Sequence, residues 1–199
     1  MKLSLITSTL VAIVLMVGSA FAQNGAIAPY VQGTITTAPG SAATGASYSI
    51  GAGVESSTKH LLLDANGLFN TAKVTSGTGN GYNGTITAQG YYKLFGHVLA
   101  GGGADVVINT NGFTFGNFVS TARTSANPFV GGGVQAGRLR SILTYQLPGK
   151  DAVPGQRLFV LSNELQVTKH VRVTVPVQAN SLAGKYTATS VGGGLKFVF

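Results

Sequence analysis

Three histidines and five carboxylates make up the acid–base inventory of this 199-residue chain. General acid–base catalysis needs a base within hydrogen-bond reach of the proton it moves, held there by a partner. His60, His97 and His170 do not form such a set. Each adjoins a short basic connection, as in Thr58-Lys59-His60 and Thr168-Lys169-His170. They read as turn residues. Asp151 is the one acid expected in a connection, so no acid pair stands near a loop. Cysteine is absent, which removes thiol nucleophiles, disulfides and thiolate ligands. Three separated histidines make no metal constellation. Gly79-Asn80-Gly81-Tyr82-Asn83-Gly84 fits the G-x-G-x-x-G pattern. No helical pattern follows it, so it has no helix N-terminus to hold a phosphate. The expectation is a protein without catalytic, cofactor-binding or metal-binding residues.

The remaining charged residues fall into a pattern of faces. In a β-strand successive side chains point to opposite sides, so apolar residues at every second position mark one greasy face. Ten segments alternate in this way: 27–37, 47–55, 60–69, 82–93, 98–108, 127–136, 139–147, 157–167, 171–178 and 186–199. In 171–178 the four valines 171, 173, 175 and 177 share a face, and Arg172 lies on the other. Tyr48, Ile50, Ala52 and Val54 oppose Glu55. Leu61, Leu63, Ala65 and Phe69 oppose Asp64 and Asn66. Ile86, Ala88 and Tyr92 oppose Gln89 and Lys93. Val98, Ala104, Val106 and Ile108 oppose Asp105. Leu139, Leu143 and Tyr145 oppose Arg140. Phe159, Leu161 and Leu165 oppose Glu164. Lys196 opposes Val191, Leu195, Phe197 and Phe199. Four acids (Glu55, Asp64, Asp105, Glu164) and four bases (Lys93, Arg140, Arg172, Lys196) thus share the non-greasy side. They are expected to pair with one another. Asn163 and Arg157 fall on the greasy side. A bulge is expected to correct the first, and a position at the loop end accommodates the second.

Composition agrees with strands greasy on one side. Charged residues are 9% of the chain, against about 25% in soluble domains. Yet beyond the N-terminal stretch no apolar run approaches the ~20 residues of a membrane helix. The connections alternate in length. Those at 38–46, 70–81, 109–126, 148–156 and 179–185 are long and rich in Gly, Ser, Asn, Thr and Pro. The four between them are short and basic. All long connections therefore lie on one side, with both ends of the barrel chain on the other. Three triple glycines, at 101–103, 131–133 and 192–194, are expected to let the wall bend and to make room for large inward side chains. The net charge of +8 is carried by single, scattered Lys and Arg, which is not the clustered footprint of a nucleic-acid binder.

The two ends carry the most specific signals. Met1-Lys2, an apolar stretch from Leu3 to Val17, and the small residues Ala20 and Ala22 have the layout of a cleaved secretory signal peptide over 1–22. At the other end Val191, Leu195, Phe197 and the terminal Phe199 alternate. This resembles the C-terminal insertion signal of bacterial outer-membrane β-barrels. Residues 23–199 resemble the small outer-membrane barrels of the OmpA-, OmpX- and Opa-like group and their ten-stranded relatives. The resemblance implies an all-β, transmembrane, antiparallel up-and-down barrel. Ten strands are expected, with eight as the alternative. It further implies contact with outer-membrane lipid and lipopolysaccharide, and with the barrel-assembly machinery during insertion.

A barrel of about eight strands has an interior filled by side chains, whereas open channels take about 16–18 strands. A non-enzymatic surface or membrane-integrity protein with a filled lumen, working through its extracellular loops, is the expectation. A narrow porin-like conduit is the alternative.

Overall fold

A computed structural model describes residues 27–37, 46–73, 80–109, 113–115, 118–120, 124–147, 156–182 and 184–199. The expected signal segment, with Ala20 and Ala22, lies outside the described residues, as do Asp151 and most of the long connections. Twelve strands are described. They are β1 (Ile27–Thr37), β2 (Ala46–Ser57), β3 (Leu61–Lys73), β4 (Asn80–Leu94), β5 (Val98–Asn109), β6 (Phe113–Phe115), β7 (Phe118–Ser120), β8 (Thr124–Ala136), β9 (Leu139–Gln146), β10 (Gln156–Gln166), β11 (Val171–Leu182) and β12 (Lys185–Val198). Ten of them form one closed antiparallel barrel, in which each strand pairs with its neighbours in the chain once β6 and β7 are set aside. Closure joins β1 to β12, from Tyr30 opposite Val198 to Thr37 opposite Val191. A closed barrel leaves no unpaired strand edge, the condition for a sheet to survive in hydrocarbon. The barrel strands run from 8 to 15 residues, which brackets the ~9–11 that cross a bilayer.

The ten expected segments are the ten barrel strands, with ends shifted by a few residues, except that the expected long connection 179–185 shrinks to 183–184 because β11 and β12 stay paired out to Leu182 and Lys185. β4 and β8 begin at Asn80 and Thr124, inside stretches that read as loop. Their Asn, Gly and Thr residues are poor strand formers alone, but the neighbouring ladder extends that far, with Asn80 opposite Lys73 and Thr124 opposite Ile108. The β6–β7 hairpin was not expected. Strands of three residues are too short for alternation to reveal them.

Outward positions are the greasy set. Ile50 and Tyr92 are 68% and 67% exposed, and Ile35, Tyr48, Leu143, Leu165, Val191 and Leu195 are exposed too. An exterior of this kind is at home in lipid, where it displaces no water at a cost. Aromatic side chains lie toward both rims. Tyr48 and the mutually tilted rings of Tyr145 and Phe159, with centroids 5.0 Å apart, lie toward the long connections. Tyr92, Phe197 and Phe199 lie toward the short turns. With no Trp in the chain, these residues take the place of an interfacial aromatic belt.

Asn163 corrects one expectation. No bulge displaces it, for β10 pairs in unbroken register with both β9 and β11. Its amide stays on the outer face and is satisfied there. Ser141 Oγ donates to Asn163 Oδ1 at 2.6 Å, and Asn163 Nδ2 donates to the Val175 carbonyl at 3.2 Å. The one register shift recorded in the barrel ladder from β11 to β12 falls at Asn180 and Ser181, near the loop end. Arg157 is exposed at the long-connection end of β10.

Candidate functional site: the lumen

Inward positions at the short-turn end fill the barrel. On one side Leu62, Tyr91, Leu99 and Ile142 form a buried apolar cluster. None of these was singled out by the charge pattern, although each lies on the same face as a predicted lumen residue. Leu62 precedes Asp64 by two positions, Tyr91 precedes Lys93, and Ile142 follows Arg140.

Glycines make the room. Gly53 faces Tyr30 from the neighbouring strand. A Cβ on Gly53 would stand 2.5 Å from Tyr30 Cζ. A Cβ on Gly103 would come within 2.8 Å of the Phe129 ring. Gly192 and Gly194 stand equally close to inward Thr36 and Thr34. The triple glycines therefore do place small residues against inward side chains. Gly53, outside any triple, does the same.

On the other side lies an ion cluster built from six of the eight charges expected inside. Glu55 on β2 is its centre, at 5% exposure. It accepts from Arg140 Nη2 at 2.7 Å, from Arg172 Nη1 at 3.0 Å to each oxygen, and from Lys196 Nζ at 3.1 Å. Glu164 accepts from Arg140 at 2.7 Å and Arg172 at 2.6 Å, with Lys196 Nζ at 3.7 Å. Asp64 faces Lys196 at 3.6 Å. The Tyr30 hydroxyl donates to both Asp64 oxygens at 2.9–3.0 Å, Asn66 donates at 2.9 Å and Gln89 at 3.4 Å. Lys196 Nζ also sits 3.7 Å from the centre of the Tyr30 ring, a cation–π contact. Three carboxylates and three cations balance, and every carboxylate oxygen of the three accepts at least one bond, although among the described residues Arg172 Nε is buried without a partner. That is the condition under which buried charges are tolerated.

The geometry of the cluster matters more than its charge. β2 and β9 stand five strands apart around a ten-stranded wall, which is as far as two strands can be. The Arg140–Glu55 pair therefore reaches across the lumen rather than along its wall. Arg172 and Lys196, from β11 and β12, close the gap between them.

Two expected members are elsewhere. Among the described residues Asp105 pairs with no cation; Thr87 Oγ1 donates to it at 2.7 Å from the adjacent strand. It lies about midway along β5, well above the cluster. Lys93 donates to Ser57 Oγ at 2.6 Å, at the rim. Leu62 and Tyr91, on β3 and β4, stand between its level and that of Asp64. Tyr30 was not among the expected residues. Its place was legible, since Val31 and Ile35 alternate with Tyr30, Gln32, Thr34 and Thr36 along β1.

Beyond the cluster, toward the long connections, the lumen opens into a cavity of about 370 Å³. Its walls are Gln32, Thr34, Thr36, Ser49, Thr144 and Gln178, and Arg140, Glu164 and Lys196 stand at its floor. Leu62, Leu68, Tyr91, Ile142 and Pro176 also line it, so the interior is divided into a filled short-turn half and a hollow half of mixed polar and apolar lining.

No family model matches the chain, and no curated protein matches it. Solved structures resemble it at the level of a closed barrel. The translocator domain of the autotransporter NalP from Neisseria meningitidis is 12% identical over all of this chain and 98% of that one, with a TM-score of 0.44. The transport unit of the autotransporter AIDA-I from Escherichia coli is 10% identical over 97% and 98%, with a TM-score of 0.45. The outer-membrane channel DcaP of Acinetobacter baumannii is 13% identical over 84% of this chain and 62% of that one, at 0.34. Likenesses this distant carry no inference about activity.

Proposed function

We propose that this chain is a non-enzymatic outer-membrane barrel with a closed lumen, acting at the cell surface or in membrane integrity through its long connections. The apolar belt meets outer-membrane lipid and lipopolysaccharide. The alternating terminus Val191, Leu195, Phe197 and Phe199 is what the barrel-assembly machinery takes up during insertion. The observation that carries the closed lumen is the Arg140–Glu55 contact across the barrel, with Lys196 and Arg172 on either side. A pore needs a water path there, and the path is filled by paired side chains. The test is ion conductance of the folded barrel in planar bilayers. The wild type should be silent. Steady ion flow in the wild type would reject the closed lumen.

A second reading, a narrow conduit for small solutes, has one observation in its favour. A cavity of about 370 Å³ already lies in the lumen beside the cluster. On this reading the cluster is a constriction, and removing Arg140 should change the selectivity of a conductance the wild type already has.

A further inference from the structure

The short-turn rim carries Lys or Arg on three of its four turns and a histidine on the fourth. Its four turns lie between β2 and β3, β4 and β5, β8 and β9, and β10 and β11. They expose Lys59, His60, His97, Arg138, Lys169 and His170. No turn carries an acid, and every side-chain carboxylate of the described residues points into the lumen. Among the described residues the side-chain acids are thus confined to the lumen, while Lys59, Arg138 and Lys169 are displayed on this rim with none beside them.

Two of these turns are built alike. In each a threonine hydroxyl accepts from the backbone N–H groups two and three residues on, Thr58 from His60 and Leu61, and Thr168 from His170 and Val171. Each also closes with a backbone bond, Thr58 N to Leu61 O at 2.8 Å and Thr168 N to Val171 O at 3.1 Å. The same Lys-His pair is presented twice by the same frame. The two turns flank the β1–β12 closure, one on either side. A third turn sets Phe95 into solvent, 95% exposed, at a left-handed φ of 51°. A bulky residue rarely adopts that backbone. It places an aromatic ring level with the basic side chains, below the belt residues Tyr92 and Phe197.

We propose that this rim binds the phosphodiester headgroups of anionic phospholipids in the leaflet on the short-turn side. Cations beside an aromatic and apolar belt match the two parts of such a lipid, a phosphate over an acyl chain. An acidic polysaccharide would match the cations but leave Phe95 without a use. Each Lys or Arg beside an anionic bilayer adds about fivefold to association, and salt screens the effect within a Debye length.

The test measures lipid preference of the folded, full barrel in phosphatidylcholine vesicles with trace spin-labelled phosphatidylglycerol or phosphatidylcholine. The wild type should immobilise the anionic probe about fivefold better at rim sites. K59Q/R138Q/K169Q should bring the two probes to parity. R157Q/K185Q, which removes exposed charges at the opposite rim, should leave the preference in place. Molar salt on the wild type should erase it, a check that does not depend on any variant folding. Preference retained by the triple variant, or lost in R157Q/K185Q, overturns the proposal. So does equal handling of both probes by the wild type. If the wild type then sediments with isolated peptidoglycan and the triple variant does not, the rim's partner is that polymer instead.

Discussion

Glu55→Ala is the most informative single change in this barrel. Glu55 accepts from three cations within 3.1 Å. Its removal leaves Arg140 and Arg172 sharing Glu164, and Lys196 facing Asp64 at 3.6 Å and Glu164 at 3.7 Å. The cluster then holds three cations against two anions. Removing one partner of a dry ion pair costs about 3–5 kcal/mol, because the survivor stays buried and uncompensated. If water fills the lumen, the survivors are screened and the loss falls below about 1 kcal/mol. Glu55 and Lys196 are 5% and 3% exposed, so the dry figure applies. Against a whole stability of about 5–15 kcal/mol, that is a large fraction. Glu164→Ala should cost less, since Glu55 still contacts all three cations. The assay is urea unfolding of the folded barrel in lipid vesicles, followed by far-ultraviolet circular dichroism and cold gel mobility; with no Trp, indole fluorescence cannot serve. Glu55→Ala paired with Arg140→Ala should restore about 0.5–3 kcal/mol of the summed single losses. A Glu55→Ala loss below 1 kcal/mol, with no coupling to Arg140, would refute the dry cluster.

The other predictions follow from particular contacts. Phe199→Asp should abolish outer-membrane yield, measured by fractionation; normal yield would remove the insertion-signal reading. Cysteines at positions 59 and 169 should resist labelling from outside intact cells while one at 114 reacts, and the reverse would invert the orientation. Gly53→Val should destabilise by at least about 1–3 kcal/mol, as overpacking does, because its side chain would enter the space of the Tyr30 ring; unchanged unfolding would mean that Tyr30 sits elsewhere. Ser141→Ala should cost about 1 kcal/mol by leaving Asn163 Oδ1 without its donor, whereas Ser141→Ala with Asn163→Leu should be near neutral or stabilising. Equal losses in the two variants would place that pair outside the lipid-facing surface.

Much of the wall was legible because a membrane barrel writes one rule into every strand. Lipid on one side excludes charge at a cost of about 2–4 kcal/mol for Arg or Lys at the midplane. Alternation therefore had to be strict, as in Val171, Val173, Val175 and Val177, and the faces followed from it. Ends were less legible. Asn80 and Thr124 join strands through pairing with Lys73 and Ile108, a cause that lies in the neighbour rather than in the residue. Asn163 broke the rule, and the sequence pattern offered a bulge as the remedy. The barrel uses hydrogen bonds to two adjacent strands instead. That solution depends on register, which places Ser141 and Val175 directly opposite Asn163.

Pairing inside the lumen is a harder problem than facing, because alternation gives the side of the wall and not the height along it. Height was nonetheless partly written in the sequence, as distance from the nearest short-turn end of each strand. Arg140 and Arg172 are one residue in, Glu55, Glu164 and Lys196 two, and Asp64 three. Those six meet at one level. Asp105 is seven residues beyond Val98 and finds Thr87 instead. Lys93 is only one residue in from Leu94 and still does not join. Its exclusion depends on which strands surround it. Leu62, Tyr91 and Leu99 come from β3, β4 and β5, so that sector of the lumen is apolar. Leu62 and Tyr91 stand on β3 and β4 between the Lys93 level and that of Asp64 and Gln89, so an ammonium moving inward would lose water among apolar side chains. The rim, where Ser57 waits at 2.6 Å, costs nothing comparable. Height and sector together select six charges from eight, and they select a neutral set. The closed lumen proposed above draws on that charge balance as well as on packing. Three cations and three anions at one level can pair in direct contact, which charges at different heights, such as Asp105 and Lys93, cannot do.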